Sequence, residues 1–298
     1  MLHVTPEPLL SERTTLHLGG RAVAEIRVET EEDCHELPQT LRAWGGEPFV
    51  IGAGSNLLAR DGQLPVTLVR GAVMQGAEIV GEEGDKVLVR VGGGVGMPRF
   101  LARCAKMGLS GLEGLSGIPG SVGGAVAMNA GSFGASVGPL LHSIRIYSSE
   151  LGIMDVPASQ LEYSYRHMGI QNLSKYFLLL YTTFGLTRDE RSGINERMRR
   201  NFFKKNSTQP IHAWSAGCAF KNPSAEQPAG MLLEQAGFKG KTLGGMAFST
   251  LHANFLVNES SGTATAALEL MALAQDAVEA HFGVRLTPEV RILPCQPS

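Results

Sequence analysis

The amino-acid sequence predicts an α+β protein, with two lobes in the first 190 residues that share two glycine turns and a third, α/β segment after them. Three observations predict this. Short runs with strand periodicity alternate with helical patterns through the first 190 residues. Two glycine-rich turns, at residues 52–54 and 117–124, punctuate that region. A polar break at Asn206–Pro210 then precedes a segment with its own glycine and lysine turns and a long closing helix.

In chain order, residues 24–29 alternate as a half-buried strand, and Thr30 followed by Glu31, Glu32 and Asp33 is a helix start with acids in its first turn. Pro38 is expected to divide or kink that helix. Pro48–Ile51 reads as a strand running into Gly52-Ala53-Gly54-Ser55-Asn56, the arrangement of a β-α-β unit. Val66–Val69 and Lys86–Val91 are short strands separated by turn residues, which suggests one small sheet of mixed direction. The following helix has Pro98 in its first turn and Gly108 just past its end, the usual asymmetry of helix termini. Residues 143–148 and 176–186 are again strands, and Gly193–Lys205 is a charged helix whose Arg197, Arg199, Arg200, Lys204 and Lys205 read as a solvated face. The closing helix, Thr263–Phe282, has Ala267, Leu270, Met271, Ala274 and Val278 on one apolar face and Gly283 as its stop.

The stretch from Gly108 to Gly138 organises the chain. It contains Gly117-Ile118-Pro119-Gly120-Ser121-Val122-Gly123-Gly124, which no helix or strand interior would tolerate. Glycine permits positive φ and lets a ligand approach the main chain, while Pro119 stiffens one turn. Free amides in such a loop form a nest for phosphate or for the polar edge of a ring. Ile118, Val122, Val126, Met128 and Phe133 are spaced like packing residues, which argues against a slack connection. The Gly52 turn is weaker. A third glycine is missing because Leu57 stands in its place, so a dinucleotide fingerprint is incomplete. The amides of Ser55 and Asn56 could bond a pyrophosphate, and a plain turn accounts for the motif equally well.

Composition narrows the function class. A net charge of −2 gives no basic footprint for nucleic acid, and 43% hydrophobic content is enough for a proper core. Cys34, Cys104, Cys218 and Cys295 are scattered without metal-ligand or disulfide spacing and read as thiols of a reducing cytosol. The N-terminus lacks a signal-peptide pattern and no apolar run reaches membrane length, so a cytoplasmic protein with small-molecule partners is expected, with no metal, no membrane and no evident protein partner.

Three short constellations carry candidate chemistry: Tyr163-Ser164-Tyr165-Arg166, the run Ser215–Pro223 around Cys218, Lys221 and Asn222, and Thr287–Arg291 around Glu289. None matches a hydrolase triad. Each alone has a bland reading, as a surface pair, a small buried thiol or an exposed acid. Taken in order, however, IGAGSNLL, GLEGLSGIPGSVGGAVAMNAGSFG, YSYR, SAGCAFKNP, AGMLLEQAGFKGKTLGGMAFSTLHANFLVN and LTPEVRIL closely resemble the UDP-N-acetylenolpyruvoylglucosamine reductases (MurB family) of bacterial peptidoglycan synthesis. The resemblance runs from about residue 15 to residue 293.

It implies a two-lobed FAD-binding fold of the PCMH/VAO type, lobe 1 over residues 1–70 and lobe 2 over 71–192, with a UDP-sugar-binding domain over 193–298 whose last strand, about 284–298, packs back on the flavin lobes. The short tail around Tyr165 and Arg166 resembles the shorter of the family's two types. FAD would be held non-covalently, its pyrophosphate at Gly52, Ala53, Gly54, Ser55 and Asn56, its ring along Ile118, Pro119, Gly120, Ser121, Gly123 and Gly124, with Asn129 and Ala130 beyond. In such enzymes NADPH supplies the electrons, and UDP-N-acetylglucosamine enolpyruvate takes a hydride at its alkene and a proton at the neighbouring carbon. The charge that develops on the carboxylate needs donors aimed at it. Arg166 and Glu289 hold the family's positions for this, and Tyr165, Lys221 and Asn222 match substrate-contacting positions. The family's usual proton donor is serine; here Cys218 stands in its place, and a thiol is a competent acid toward carbon. Two alternatives stay open: another FAD-dependent oxidoreductase of the same fold, which would lack the Cys218, Asn222 and Glu289 series, and a flavin- or nucleotide-binding module without catalysis.

Overall fold

The structure is a computed structural model and describes residues 2–132, 134–171, 173, 177–259 and 261–294. The chain divides into two compact units. One comprises Met1–Pro6, Ala24–Ala53 and Val66–Lys204; the other comprises Glu7–Val23, Gly54–Pro65 and Lys205–Ser298.

In the first unit, strands His3–Pro6, Ala24–Val28, Val66–Gly71 and Glu47–Val50 form a sheet in that order, antiparallel at the first pair and parallel at the other two. The connection from Ala24–Val28 to Glu47–Val50 is helix α1, Asp33–Trp44. Asp33 Oδ2 accepts from the amides of Glu29 and Thr30 while its own amide donates to Thr30 Oγ1, a reciprocal cap that explains where the helix starts. Pro38 lies inside α1, which continues through it, so the expected division does not occur.

A second, six-stranded sheet of the same unit has Gly152–Pro157, Leu141–Ser148, Phe177–Arg188, Lys86–Gly92 and Ala77–Glu83 in antiparallel succession, with Leu109–Ser110 beside the end of Phe177–Arg188. The strands at Val66 and Lys86 therefore lie in different sheets, not in one small mixed sheet. Their alternation revealed each strand but not its partner. Helices α2, Met97–Lys106, and α3, Val122–Ala127, supply Phe100, Leu101, Val122 and Val126 to the core of the larger sheet. Helix α4, Arg191–Thr208, runs through Asn206 and Ser207, so the polar break begins later than the sequence suggested. Its Arg199, Arg200 and Lys204 are exposed as expected, but Lys205 is buried and Arg197 is not simply solvated. Arg197 bonds Glu113 and Asp189.

In the second unit, Trp214–Cys218, Phe255–Asn258, Met246–Phe248 and Thr242–Leu243 form an antiparallel sheet, packed with α5, Ala229–Gln235, and α6, Ala264–Phe282. Ala267, Leu270, Met271, Ala274 and Val278 of α6 are buried, the face the sequence marked. Thr263 caps α6, Gly283 ends it at φ 67°, and Asp61 accepts from Ala264 N, Thr265 N and Thr265 Oγ1. Burial pushes the Asp61 carboxyl upward, but those donors outweigh it and hold it below the ordinary value. Arg291–Leu293 pairs in parallel with Leu57–Ala59. No helix is long and apolar enough to cross a membrane among the described residues.

Candidate active site

The first unit builds a wall of main chain from three glycine segments. Ser121 caps α3, its Oγ accepting from Gly124 N at 3.2 Å, so Val122–Gly124, the end of the glycine run, form a first helical turn, contrary to the expectation that no helix would tolerate the run. Val122 N and Gly123 N donate to Val95 O and Gly93 O, both at 2.8 Å, and Met97 N donates to Gly120 O at 2.9 Å. The first glycine turn lies against the same cap: a Cβ on Gly52 would stand 2.3 Å from Ser121 Oγ. The two turns that the sequence marked separately thus meet. Ile118 packs partly buried on the core, and Val122 and Val126 are fully buried. Phe133 and Cys295 lie outside the described residues.

This wall suits a flat ring or a diphosphate by its own geometry. Gly117 and Gly120 have φ of 80° and 120°, which leave their amides pointing off any ladder. Among the described residues the amides of Gly52, Ala53, Gly120 and Ser121 donate no hydrogen bond to protein. Ser116 Oγ, buried inside the loop, likewise has no protein partner. Buried polar groups in folded proteins are normally paired, so a run of unpaired donors along a side-chain-free wall points to a polar ligand. The residues present therefore fit FAD.

Tyr165 and Arg166 are the two loop residues of a hairpin, Leu161–Ser164 with His167–Ile170. Arg166 takes φ 57°, a costly conformation for a side chain with a Cβ, and its guanidinium lies 5.0 Å from the Tyr165 ring centre. The hairpin is fixed to the glycine loop. Asn129 donates Nδ2 to Ser164 O at 3.0 Å and accepts from Gly138 N at 2.9 Å. Arg166 Nη1 reaches Gly131 O at 3.4 Å, and a Cβ on Gly138 would strike the Tyr163 ring at 2.6 Å. The Asn129 side chain is thus engaged in holding the hairpin, and the Asn129 and Ala130 amides are bonded to Val126 O and Ala125 O at 2.9 and 2.7 Å, so these two residues shape the wall rather than offer it donors.

The second unit brings Cys218 and Glu289 onto neighbouring segments. Glu289 N donates to Ala219 O at 2.8 Å and Lys221 N to Thr287 O at 2.8 Å, with Phe220 opposite Pro288. Asn56 joins them: its Nδ2 donates to Glu289 O at 3.3 Å, and its carbonyl accepts from Arg291 N at 3.0 Å. Gly54, at φ 65°, could carry no Cβ, which would lie 2.1 Å from Arg13 O. Asn222 Oδ1 accepts from Ala229 N and so caps α5. Gly52, Ala53, Tyr165, Arg166 and the Ile118–Ala130 residues belong to the first unit, and Gly54, Ser55, Asn56, Cys218, Lys221, Asn222 and Glu289 to the second.

Residues 22–146 match a family model described as an FAD binding domain. Residues 209–293 match that of the UDP-N-acetylenolpyruvoylglucosamine reductase C-terminal domain. A UDP-N-acetylenolpyruvoylglucosamine reductase of Nitratidesulfovibrio vulgaris is 50% identical over 98% of this chain and 99% of its own length. The chain belongs to the UDP-N-acetylenolpyruvoylglucosamine reductase family. A second reductase of that family, from Oleidesulfovibrio alaskensis, is 48% identical over 97% of each chain. The crystal structure of the family's Thermus caldophilus member superposes with a TM-score of 0.82 at 31% identity, covering 99% of this chain and 100% of that one. The fold is accordingly the two-lobed FAD-binding fold with a C-terminal domain that the resemblance implied.

Several residues that hold the candidate site's segments in place carry little or no signal in the sequence. Gly93, which stands ahead of the α2 helix, takes the Gly123 amide on its carbonyl. Arg70 donates Nη1 to Gly52 O and Nε to Glu25, anchoring the first turn. Asn254 holds the Cys218 strand from the middle of a run that the resemblance included but assigned no role. The triple glycine at 92–94 was the available signal for Gly93; a lone arginine or asparagine in a strand-like run carries none.

Proposed function

We propose that this protein reduces UDP-N-acetylglucosamine enolpyruvate to UDP-N-acetylmuramate with NADPH and non-covalently bound FAD, in peptidoglycan precursor synthesis in the cytoplasm. The observation that carries the reading is 50% identity across essentially the whole chain to a UDP-N-acetylenolpyruvoylglucosamine reductase. The unpaired amides of the glycine wall support it independently. FAD, when bound, relays a hydride from NADPH to the alkene of the substrate.

The chain's own residues then have distinct tasks. Gly52, Ala53, Gly54, Ser55 and Asn56 face the pyrophosphate with main-chain amides, and Ile118, Pro119, Gly120, Ser121, Gly123 and Gly124, with Asn129 and Ala130, line the ring. Arg166 sets paired donors against the substrate carboxylate as its charge grows. Cys218 Sγ holds the proton that the carbon next to the hydride acceptor takes, and Glu289 hydrogen-bonds the enolate. Tyr165, Lys221 and Asn222 bind the nucleotide sugar. FAD binding is assigned to residues 1–70 and 71–192, and the UDP-sugar to 193–298. The pairing of Arg291–Leu293 with Leu57–Ala59 supports grouping the last strand, about 284–298, with first-lobe residues.

The test is made on the purified protein. A yellow colour released entirely by acid precipitation, bleached by NADPH under anaerobic conditions and restored by the enolpyruvyl sugar is the expected result. Bleaching without restoration by the sugar would assign a different substrate, and a yellow protein inert to NADPH would be a binding module without catalysis.

A further inference from the structure

The strand that carries Cys218 is irregular at the point that matters. Trp214 and Ser215 face Asn258 and Val257 in regular register, but the next pair is Cys218 with Phe255. Three steps along one strand therefore match two along the other. Ala216 and Gly217 form a bulge, with Gly217 at φ 79°. Because side chains alternate across a strand, a one-residue slip turns each later side chain to the opposite face. The bulge thus decides which way Cys218 points.

Beyond the bulge one side chain supplements the main-chain bonds of the strand. Asn254, 2% exposed, accepts from Phe220 N at 3.0 Å and donates Nδ2 to Phe220 O at 2.8 Å, while its own carbonyl accepts from Ala219 N at 2.7 Å. It replaces the ladder that the bulge interrupts. The Ala219 carbonyl in turn accepts from Glu289 N at 2.8 Å, so the same clamp fixes the segment bearing Glu289. Asn254 is itself seated by its amide donating to His252 Nδ1 at 3.2 Å. Burial lowers the His252 pKa, which favours the neutral ring that can accept this bond.

We infer that Asn254 is a positioning residue for the reduction: by completing the hydrogen bonds of the bulged strand it sets the direction of the Cys218 thiol and its register with Glu289. The inference rests on Cys218 being the proton donor. Asparagine suits the task because one planar amide offers a donor and an acceptor spaced to satisfy both main-chain groups of a single residue. Loss of either bond frees the strand to relax toward regular register.

The experiment uses the FAD-loaded full chain and separates the half-reactions. Asn254→Asp keeps the acceptor and removes the donor. It should retain FAD, be reduced by NADPH within about twofold of the parent rate and keep the KM for the enolpyruvyl sugar, while reoxidation by that sugar slows by about tenfold or more, within the range set by loss of general acid catalysis. In a Cys218→Ala background the same change should cause no further slowing, because it acts through the missing thiol. Additive losses, or reoxidation by Asn254→Asp at the parent rate while Cys218→Ala is slow, overturn the positioning role. Cys218→Ala reoxidising at the parent rate removes instead the reading on which the inference rests. If Asn254→Asp does not accumulate, Asn254→Gln is measured in its place. Two insoluble or flavin-free variants assign Asn254 to folding alone and overturn the proposal.

Discussion

Arg70 donates its Nη1 to the carbonyl oxygen of Gly52, and through Nε it is bonded to Glu25 at 2.7 Å. Glu25 is 8% exposed, so the pair sits largely out of water on adjacent strands of the first sheet. The arrangement fixes the Gly52 carbonyl and with it, across the planar peptide bond, the direction of the unpaired Ala53 amide. A turn whose donors are oriented in advance binds an anion without an ordering cost.

Arg70→Met keeps the aliphatic stem and removes both charged donors. A hydrogen bond to a charged group contributes about 1.5–3 kcal/mol. If the turn loses its fixed geometry to that extent, FAD affinity should fall by roughly 10- to 100-fold. Titration of flavin-stripped protein with FAD, followed by quenching of flavin fluorescence, measures it. A variant with a lower melting temperature but parental FAD affinity would show that Arg70 supports the sheet and not the turn.

Glu113 gives a pH dependence of known sign. It accepts from Ser110 Oγ and Gly111 N at 2.8 Å and from Arg197 Nη2 at 2.7 Å, and Asn201 Nδ2 bonds its main-chain oxygen, so α4 is tied to the loop that precedes the glycine wall. Burial pushes the carboxyl upward, but the Gly111 amide, Arg197 and Ser110 outweigh it and the pKa is lowered. A depressed folded-state pKa means stability that is present above the ordinary glutamate value, about 4.3, and is lost as pH falls through the folded value. Urea unfolding of the flavin-free protein at pH 7 and at pH 4 should show Glu113→Gln destabilised at the higher pH, with the gap to the parent narrowing at the lower. A gap that does not change with pH would trace the effect to packing.

Much of the fold was legible because it is written locally. The Thr30–Asp33 cap, Pro98, Gly108, Thr263 and Gly283 fix helix ends through contacts within a few residues, and the α6 stripe is a single periodicity. The glycine turns were legible for the same reason. What was hidden depends on partners far along the chain. Nothing in Leu57–Ala59 announces pairing with Arg291–Leu293, and alternation in Val66–Val69 and Lys86–Val91 does not say which sheet each joins. Cys218 could be singled out by resemblance, but its bulge and the Asn254 clamp arise from pairing across 34 residues. Residues 7–23 and 54–65 group with the C-terminal unit for the same reason, through Leu16, Leu18 and Leu58 in its core.

Cys218 separates the two half-reactions. A thiol that protonates carbon after hydride transfer has no part in the reduction of flavin by NADPH. Cys218→Ala should therefore bleach with NADPH at near the parent rate, while reoxidation by the enolpyruvyl sugar slows by roughly 10²- to 10⁴-fold, the usual size of a general-acid contribution. Cys218→Ser should recover most of the loss, since the bulge at Gly217 and the bonds from Ala219 and Phe220 to Asn254 present whichever side chain stands there. The two active forms should differ in alkaline solution. A thiol is a far stronger acid than an alcohol, so the parent's second half-reaction should fail in alkaline solution and the serine variant should show no such limb. Stopped-flow reoxidation across that pH range tests both points. Parent and serine forms with the same alkaline profile, or an alanine variant reoxidised at the parent rate, would place the proton on water or on Glu289 and leave Cys218 as a packing residue of its strand.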